Sequence, residues 1–294
     1  MKVLTLANCA HRAYHQYLTG AHPDWDVRAV IPLKAKEWID MGHEGFIGFL
    51  RDVDLFVGFV NINTVADHVN PQAKHIGVPS FSFGGFTPDI VGIADFAGIL
   101  ENNNAHSRLA AAGHLSGLTI NQTAALFNKD HFASVGYFDR FNKDRNALCN
   151  KAERFGLDVS DLIDHWLKQD RFLYYPVHPN TKFFFDMLDL AMRQAGYPPD
   201  IDDTALAALR EGMDDYLSKG VLWPIYPEIA EHFGVEAWPT HWRLSAANNS
   251  GEGFDLRQML EKSFVLYDAS PDKHAAISDA LGGAAGVAQC AGQA

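Results

Sequence analysis

The first hundred residues alternate between short apolar runs and segments with helical spacing of apolar side chains, and this alternation constrains the fold more than any other feature. Four runs have the length and composition of buried strands: residues 2–7, 25–33, 54–60 and 75–83. Residues 10–18 and 36–50 lie between these runs and carry apolar side chains at helical intervals. Strands that alternate with helices form βαβ units, in which helices cover parallel strands. The sequence therefore predicts an α/β N-terminal part with a mostly parallel sheet and flanking helices.

A largely helical C-terminal part is predicted to follow, because strand signals become few after about residue 106. Six segments have helical patterns: residues 107–115, 121–127, 144–155, 160–168, 181–195 and 204–219. Asn102, Asn103 and Asn104 form a polar loop ahead of them, and the composition shifts to small and polar residues after Tyr267. The predicted division has three parts, an α/β part, a mainly helical part packed against it and a flexible tail: residues 1–104, 105–268 and 269–294.

The charge of the chain limits its partners. Its 294 residues are 47% hydrophobic and 20% charged, which is an ordinary globular composition. Twenty-four Lys and Arg against 36 Asp and Glu give a net charge of -12, the wrong sign for binding the phosphate backbone of a nucleic acid. We therefore predict no nucleic-acid partner, whereas a small anionic cofactor remains compatible with this charge because local cationic groups can bind it.

Cysteine usage and hydropathy predict a cytoplasmic protein without a metal. Cys9, Cys149 and Cys290 are too few and too scattered for a disulfide framework or a cysteine-rich zinc site. The 14 histidines contain no H-E-x-x-H pattern. The longest apolar stretches, such as residues 54–60 and 90–100, fall short of the roughly 20 residues that span a bilayer. We expect no membrane insertion.

Asn8 and Cys9 form the turn between the first predicted strand and the first predicted helix. Open α/β sheets bind ligands at the carboxyl ends of their strands, and a thiol at a helix N-terminus has a lowered pKa and a raised reactivity. The side-chain amide of Asn8 could stabilise a developing oxyanion. Position alone supports a structural interpretation equally well, with Cys9 as a small buried residue and Asn8 as a helix cap.

A loop with hydroxyl groups, two glycines and a carboxylate follows the fourth predicted strand. It contains Ser82, Gly84, Gly85 and Asp89, and its glycines would let backbone N–H groups approach a ligand closely. Composition alone favours an ordinary turn. The chain contains neither the P-loop pattern nor the G-x-G-x-x-G fingerprint.

Two histidines stand directly ahead of predicted helices. His178 lies between Pro176 and Pro179, and the restricted backbone suits a positioned general acid or base. A single histidine more often holds a turn through its imidazole, so this alternative stays open. His106 is followed by Ser107 and Arg108. Ser107 could cap the helix, and His106 and Arg108 could bind an anionic group; the sequence is compatible with both.

Seven short motifs, in this order, resemble those of the WcbI-type polysaccharide biosynthesis family. They are A-N-C at 7–9, F-G-G-F-T-P-D at 83–89, H-S-R at 106–108 followed by G-L at 117–118, L-F at 126–127, G-Y-F at 136–138, V-H-P at 177–179 and P-I-Y-P-E-I-A at 224–230. The resemblance extends from about residue 2 to residue 267. Each motif is short, but their shared order over most of the chain is hard to obtain by chance.

The resemblance implies a coenzyme A-binding protein of capsule or surface-polysaccharide biosynthesis. It implies an O-acetyltransferase that uses acetyl-CoA as co-substrate and a sugar or polysaccharide as acceptor. The chain departs from the family pattern at Ala7 and Ala10, where Gly and Gln are usual, and at Thr87, where His is usual. The replaced Gln and His could each contact a ligand, so these departures bear on the choice of donor and acceptor.

The resemblance and the residues together predict acyl transfer from a thioester to a sugar hydroxyl. Cys9 would accept the acyl group, or line the pocket if transfer is direct, while His178 would remove a proton and Asp89 would orient the histidine. Contacts to the oxyanion or substrate are expected from six residues: Asn8, Ser82, Gly84, Gly85, Ser107 and Tyr226. Coenzyme A phosphates are expected to contact three residues: Arg12, His106 and Arg108.

Two other functions stay open at this point. A hydrolase related in architecture to the SGNH esterases would share the α/β sheet, but the usual Gly-Asp-Ser is replaced here by Asn8 and Cys9. A non-catalytic glycan- or nucleotide-binding component of an assembly complex would use Asn8, Asp89 and His178 for binding or structure only. Turnover assays with thioester and simple ester substrates separate the three functions.

Overall fold

A computed structural model describes residues 1–58, 65–100, 104–244 and 253–293. The strands in chain order are β1 (Lys2–Leu6), β2 (Asp26–Val30), β3 (Leu55–Gly58), β4 (Lys74–Gly77), β5 (Ile90–Gly92), β6 (Ala105–Ser107), β7 (Leu173–Tyr175), β8 (His178–Pro179), β9 (Trp242–Arg243) and β10 (Gly253–Phe254). The helices are α1 (His11–Ala21), α2 (Pro32–Asp40), α3 (Glu44–Arg51), α4 (Arg108–Leu115), α5 (Ile120–Ala124), α6 (Lys129–Ser134), α7 (Arg140–Glu153), α8 (Ser160–Trp166), α9 (Thr181–Gln194), α10 (Asp203–Glu211), α11 (Pro227–Phe233), α12 (Leu256–Asp268), α13 (His274–Leu281) and α14 (Gly283–Cys290). About 49% of the described residues are helical.

The chain divides into two compact units, each built from several segments. The first unit comprises Met1–Phe81, Ala147–Leu167 and His178–Leu217. The second unit comprises Ser82–Asn146, Lys168–Val177 and Ser218–Ala294. The three-part division at residues 104 and 268 stays a prediction, and Asn102 and Asn103 of its linker lie outside the described residues.

The first unit contains the predicted parallel sheet. Its order is β2-β1-β3-β4, and β1 pairs in parallel with β2 on one side and with β3 on the other. The chain therefore moves outward from β1 to β2 and then returns to place β3 beside β1. Ligands of open α/β sheets bind where the strand order reverses in this way, at the carboxyl ends of the strands. Asn8 and Cys9 follow β1 at this end.

Helices cover both faces of this sheet because strand side chains alternate in direction. Leu4, Leu6 and Phe56 join a buried cluster with Phe46 and Phe49 of α3. The intervening residues of β1 point to the opposite face, where α1 contacts β1 and β2. Helix α9 packs beside α1 and also contacts β4. The α/β prediction for the N-terminal part is confirmed.

The helix expected over residues 36–50 is instead two helices. Gly42 has φ +67, a left-handed conformation that ends α2 and that glycine adopts without steric cost. The side chain of His43 then accepts a hydrogen bond from the N–H of Phe46 at 3.1 Å and caps α3. Apolar spacing continues across this break, which is why periodicity alone did not reveal it.

The second unit is mainly helical, in agreement with the prediction for the C-terminal part. Helix α4 packs against α5, α12, α13 and α14. The last two helices lie in the segment for which the sequence predicts a flexible tail, and they bury Ile277, Leu281 and Cys290. Among the described residues no helix is both long enough and apolar enough to cross a membrane.

Candidate functional site

Cys9 lies in a tight turn between β1 and α1, with its side chain half-buried. The carbonyl of Asn8 accepts hydrogen bonds from the N–H of His11 at 3.3 Å and from His11 Nδ1 at 2.6 Å, which fixes the turn. Backbone N–H groups of Cys9 and Ala10 hydrogen-bond to the Cys9 sulfur. The thiol is therefore held at the start of α1, while the Asn8 side chain is exposed and does not cap the helix.

Burial raises the pKa of Cys9 from 9.0, and the two backbone N–H groups oppose this only partly. The expectation of a lowered pKa at the helix N-terminus is therefore wrong, because desolvation outweighs the favourable backbone dipoles. At neutral pH the sulfur is protonated. Nucleophilic use of Cys9 would require a base.

Helices α1 and α9 run parallel, and this places Cys9 and His178 at the same end of a helix pair. Tyr14 of α1 contacts Phe184 of α9 with ring centroids 6.1 Å apart. Further along both helices, Tyr17 donates a hydrogen bond to Asp189 at 2.8 Å. Because the contacts advance in the same direction along both helices, their N-terminal ends lie side by side. Cys9 precedes the start of α1 by two residues and His178 precedes the start of α9 by three.

His178 has the protonation state of a general base. Burial lowers the pKa of His178 from 6.5, so its imidazole is neutral at pH 7 and can accept a proton. The residue begins the short strand β8 and is followed by Asn180, whose side chain accepts a hydrogen bond from the N–H of Lys182 at 3.0 Å and caps α9. The rigid turn predicted from the flanking prolines is thus anchored to the first turn of α9.

A segment that the sequence reasoning missed, Asp214 to Tyr216, contacts both helix starts. The Tyr216 hydroxyl donates a hydrogen bond to the carbonyl of Cys9. Asp215 Oδ1 accepts hydrogen bonds from the N–H and the hydroxyl of Thr181, the first residue of α9, each at 3.2 Å. No local pattern marks these residues, because they lie within a segment that the sequence predicts as one helix to residue 219. The structure ends α10 at Glu211 instead.

An open cavity of about 710 Å³ adjoins this end of the first unit and extends along α1. Residues of α1, of the edge strand β2, of α2 and α3, and of the Asp214 segment line it. Arg12 lies at the cavity wall, with its guanidinium 4.6 Å from the centroid of the Tyr216 ring and 3.9 Å from an Asp214 oxygen. Of the three predicted phosphate contacts, Arg12 is the one that lines this cavity.

Asp89 belongs to the second unit and is completely buried. One carboxylate oxygen accepts hydrogen bonds from the Tyr137 hydroxyl at 2.8 Å and from the N–H of Leu109 at 3.1 Å. The other oxygen accepts a hydrogen bond from the Tyr226 hydroxyl at 2.7 Å. This geometry favours a structural role for Asp89 and Tyr226, and their predicted roles at the reaction centre stay predictions.

In the glycine loop the N–H of Gly84 has a hydrogen-bond partner within the protein. It donates to Asp144 Oδ2 at 2.7 Å, and the predicted oxyanion contact of Gly84 stays a prediction that this hydrogen bond does not favour. Gly85 is buried, and a Cβ there would lie 2.5 Å from the ring of Phe83. The glycine is needed for ring packing. Ser82 is exposed.

The H-S-R motif also holds structure together in the second unit. His106 is buried, with Nε2 3.1 Å from the Phe96 carbonyl and Nδ1 3.2 Å from the Tyr267 hydroxyl. Ser107 accepts a hydrogen bond from the N–H of Ala110 and caps α4, as the structural alternative expected. The Arg108 side chain hydrogen-bonds to Cys290. The phosphate roles of His106 and Arg108 stay predictions that this geometry does not favour.

The predicted site residues thus divide between the two units. Asn8, Cys9, Arg12 and His178 lie in the first unit. The other candidates lie in the second: Ser82, Gly84, Gly85, Asp89, His106, Ser107, Arg108 and Tyr226. In the part of the chain that the structure describes, no three His, Cys, Asp or Glu side chains are grouped so that they could hold a metal ion.

Comparison with known families identifies the chain. The model of the family described as polysaccharide biosynthesis enzyme WcbI matches residues 52–200, which is half of the sequence. The chain belongs to the WcbI family. The matched range of the WcbI model includes the glycine loop, the H-S-R motif and His178, whereas the Cys9 turn precedes it. No curated protein matches the chain.

A solved WcbI structure has the same fold. It is 14% identical to this chain, and the two superpose with a TM-score of 0.73. The match covers 99% of this chain and 98% of the WcbI chain. That protein is described as WcbI, a novel polysaccharide biosynthesis enzyme, in its native form without a disulfide bond between coenzyme A and one of its cysteines. At this identity the likeness establishes the fold alone.

The three departures from the usual WcbI motifs are small or buried side chains. Ala7 and Ala10 are completely buried on either side of the Cys9 turn. Thr87 is buried in the second unit, where its N–H donates to the carbonyl of Gly84 at 3.0 Å. At these three positions this WcbI-family chain therefore has buried side chains.

Proposed function

We propose that this chain is a coenzyme A-dependent acyltransferase that acetylates a hydroxyl group of a sugar during the biosynthesis of a capsule or another surface polysaccharide. The observation that carries the proposal is the Cys9 turn, where a half-buried thiol lies at the carboxyl end of β1 and contacts two backbone N–H groups. Membership of the WcbI family supports a role in polysaccharide biosynthesis. The scattered cysteines favour action in the cytoplasm.

Coenzyme A is proposed as the thiol carrier because the description of the similar WcbI structure names a disulfide bond between coenzyme A and a cysteine, as a bond that this native form lacks. Such a disulfide requires the coenzyme A sulfur to reach a cysteine side chain. Of the three cysteines in this chain, Cys9 lies at the strand end where α/β folds bind ligands. We assign the corresponding contact to Cys9.

In the first proposed step, Cys9 attacks the thioester carbonyl of acetyl-CoA. The raised pKa of Cys9 means that its proton must be removed, and the neutral imidazole of His178 is the proposed base. The tetrahedral intermediate collapses to acetyl-Cys9, and the coenzyme A thiolate takes the proton from His178 as it leaves. Backbone N–H groups of Cys9 and Ala10, with the amide of Asn8, are the proposed donors to the oxyanion.

In the second step, a sugar hydroxyl attacks acetyl-Cys9 while His178 accepts the hydroxyl proton. The sugar acetate is released, and the proton returns to the Cys9 sulfur, which restores the starting enzyme. Direct transfer would use the same base without the acyl-enzyme, and then Cys9 would only line the thioester pocket. Detection of acetyl-Cys9 separates the two routes.

The test is incubation with acetyl-CoA followed by peptide mass spectrometry. We expect one acetyl group on Cys9, none at this position in Cys9→Ala, and unchanged acetylation in the control Cys149→Ala. His178→Gln should slow acetylation by about 100-fold or more. Turnover by Cys9→Ala at the wild-type rate would exclude the covalent route.

Two further measurements test the function itself. Cleavage of simple esters in place of thioester transfer would favour the hydrolase. Failure of coenzyme A to bind in a calorimetric titration would contradict the cofactor assignment.

A further inference from the structure

The lining of the cavity along α1 has a net positive charge in a chain whose net charge is -12. Among its described lining residues Arg12 and Arg28 are cationic and Asp214 is acidic, while three histidines add ring nitrogens that can form hydrogen bonds: His11, His15 and His43. A cationic concave surface on an otherwise acidic protein attracts anions locally. We call this cavity the α1 groove.

Each arginine of the α1 groove is held in place by a neighbouring ring. The Arg28 guanidinium stacks 4.1 Å from the centroid of the Phe49 ring and donates from Nη1 to the carbonyl of Gly45 at 3.2 Å. Arg12 is similarly stacked on Tyr216. A guanidinium has five N–H donors in a fixed plane, so several remain for a ligand after these contacts. Held arginines lose little conformational entropy when they bind a phosphate group.

His43 adds a donor whose tautomer the structure determines. Its Nδ1 accepts a hydrogen bond from the N–H of Phe46, so in the neutral ring Nε2 carries the proton. The ring of Trp38 lies beside it, with centroids 5.6 Å apart, and Trp38 also packs 5.1 Å from Phe46. The groove therefore offers a flat aromatic surface next to hydrogen-bond donors, which suits a ligand with a ring and an anionic group.

The α1 groove begins beside the proposed reaction centre. Tyr216 lines the groove and also donates its hydroxyl to the Cys9 carbonyl. From Arg12 to Thr19 the lining follows about 10 Å of α1, at 1.5 Å per residue. A long ligand that reacts at the Cys9 turn would extend into the groove.

We infer that the α1 groove binds the phosphate groups of a nucleotide, with Arg12, Arg28 and His43 on the phosphates and Trp38 against a ring of the ligand. The inference rests on the proposed function only for the source of the nucleotide. The ligand of that function is coenzyme A, whose end distant from the thiol is a phosphorylated adenosine. The diphosphate of an activated sugar has the same chemistry and is the other source.

Calorimetric titration of the full-length protein with adenosine 3′,5′-bisphosphate and, separately, with UDP tests the inference. We expect one of the two to bind, and Arg12→Gln and Arg28→Gln each to weaken it by about 10-fold to 100-fold, the range for lost hydrogen bonds to charged groups. Arg51→Gln is the matched control, because it removes the same charge from α3 outside the groove lining. The affinity of Arg51→Gln for the bound probe should stay within about twofold of that of the wild type. Binding of the adenosine compound identifies coenzyme A as the source, and binding of UDP identifies an activated sugar.

Absence of binding by both probes, or an equal affinity in wild type and both groove variants, would overturn the inference. Arg12→Gln changes the contact with Tyr216, so thermal unfolding of each variant should be followed alongside. A loss of affinity in a variant with unchanged unfolding is then a ligand contact. Acetylation of Cys9 is a separate readout. Nucleotide binding without acetylation supports the groove and contradicts the covalent route of the transferase. Acetylation that the groove variants do not affect supports the covalent route and contradicts the groove.

Discussion

The hydroxyl of Tyr216 donates a hydrogen bond to the backbone carbonyl of Cys9, although 207 positions separate the two residues in the sequence. The preceding residue, Asp215, binds the first residue of α9. One short segment therefore contacts the turns that carry the proposed nucleophile and the proposed base. Such contacts hold reacting groups in a fixed relative position, which a loop connection alone would not do.

Tyr216→Phe should lower kcat of acyl transfer by about 10-fold with little change in KM, because the Cys9 turn loses a positioning hydrogen bond while the ligand pocket keeps its shape. The free energy of unfolding should fall by only about 0.5 to 1.5 kcal/mol. Steady-state kinetics and urea unfolding measure the two effects. Tyr197→Phe is a control in the same unit, since its hydroxyl has no hydrogen-bond partner among the described residues. An unchanged kcat in Tyr216→Phe would show that this bond does not position the turn.

Alkylation of Cys9 should depend on pH differently from that of an exposed thiol. Burial raises the pKa of Cys9 above 9.0, so the rate of modification by iodoacetamide should still rise at pH 9, where glutathione already approaches its plateau. Mass spectrometry of the Cys9 peptide gives the rate without interference from the other two cysteines. A plateau below pH 8 for Cys9 would mean that the helix N-terminus outweighs burial after all.

Asp89→Ala should destabilise the protein strongly. The substitution leaves the hydroxyls of Tyr137 and Tyr226 buried without their acceptor, and each such group costs about 1 to 3 kcal/mol. We expect the free energy of unfolding in urea to fall by about 2 to 5 kcal/mol. Tyr226→Phe leaves only Asp89 Oδ2 without this donor, so it should cost about 1 to 3 kcal/mol, less than Asp89→Ala. Wild-type stability of Asp89→Ala combined with lost turnover would instead support a direct catalytic role.

Gly58 is required by the close approach of β1 and β3. A Cβ at Gly58 would lie 2.5 Å from the carbonyl oxygen of Leu6, two residues ahead of the Asn8 turn. Gly58→Ala should lower the free energy of unfolding by about 1 to 3 kcal/mol, as overpacking does. Gly48→Ala in α3 is the control: its Cβ meets nothing within 4 Å, and it should stabilise the protein by about 0.5 to 1 kcal/mol. A neutral effect at Gly58 would mean that the strands can move apart.

The sequence predicts those parts of the molecule whose causes are local. Apolar periodicity locates β1, α1 and α9 to within a few residues, and the turn at Cys9 follows from where β1 ends. The same periodicity predicts α2 and α3 as one helix, because the left-handed conformation of Gly42 ends α2 without interrupting the apolar pattern. The Asp214 segment was missed because its contacts with Cys9 and Thr181 are long-range.

The sequence also predicts the chemical type of a candidate site residue more readily than the burial and contacts of its side chain. The H-S-R motif has the composition of an anion site, but the described contacts of His106 are a carbonyl and a tyrosine hydroxyl in the interior of the second unit. For Cys9 the sequence indicates the helix N-terminus and not the burial that raises its pKa. Burial depends on how distant elements pack, so the balance between desolvation and local dipoles is decided only in three dimensions.

Stability should fall with decreasing pH because of buried histidines. Burial lowers the pKa of His106 below the value of 6.5 that it has in an unfolded chain, and the pKa of the half-buried His178 is lowered by the same cause. Below pH 6.5 the unfolded chain therefore binds protons that the folded protein excludes. The free energy of unfolding should decrease by up to about 1.4 kcal/mol per pH unit for each such histidine until its folded pKa is reached.

His106→Gln tests the contribution of this histidine. The Phe96 carbonyl can only accept, so His106 Nε2 donates to it and Nδ1 accepts from the Tyr267 hydroxyl. A glutamine amide can donate and accept in the same way but does not titrate. Urea unfolding at pH 7.5 and pH 5.5 should show a smaller loss in His106→Gln than in wild type, by about 1 kcal/mol. Equal losses in the two proteins would mean that His106 takes up its proton in the folded state as readily as in the unfolded chain, and that its burial does not contribute to acid sensitivity.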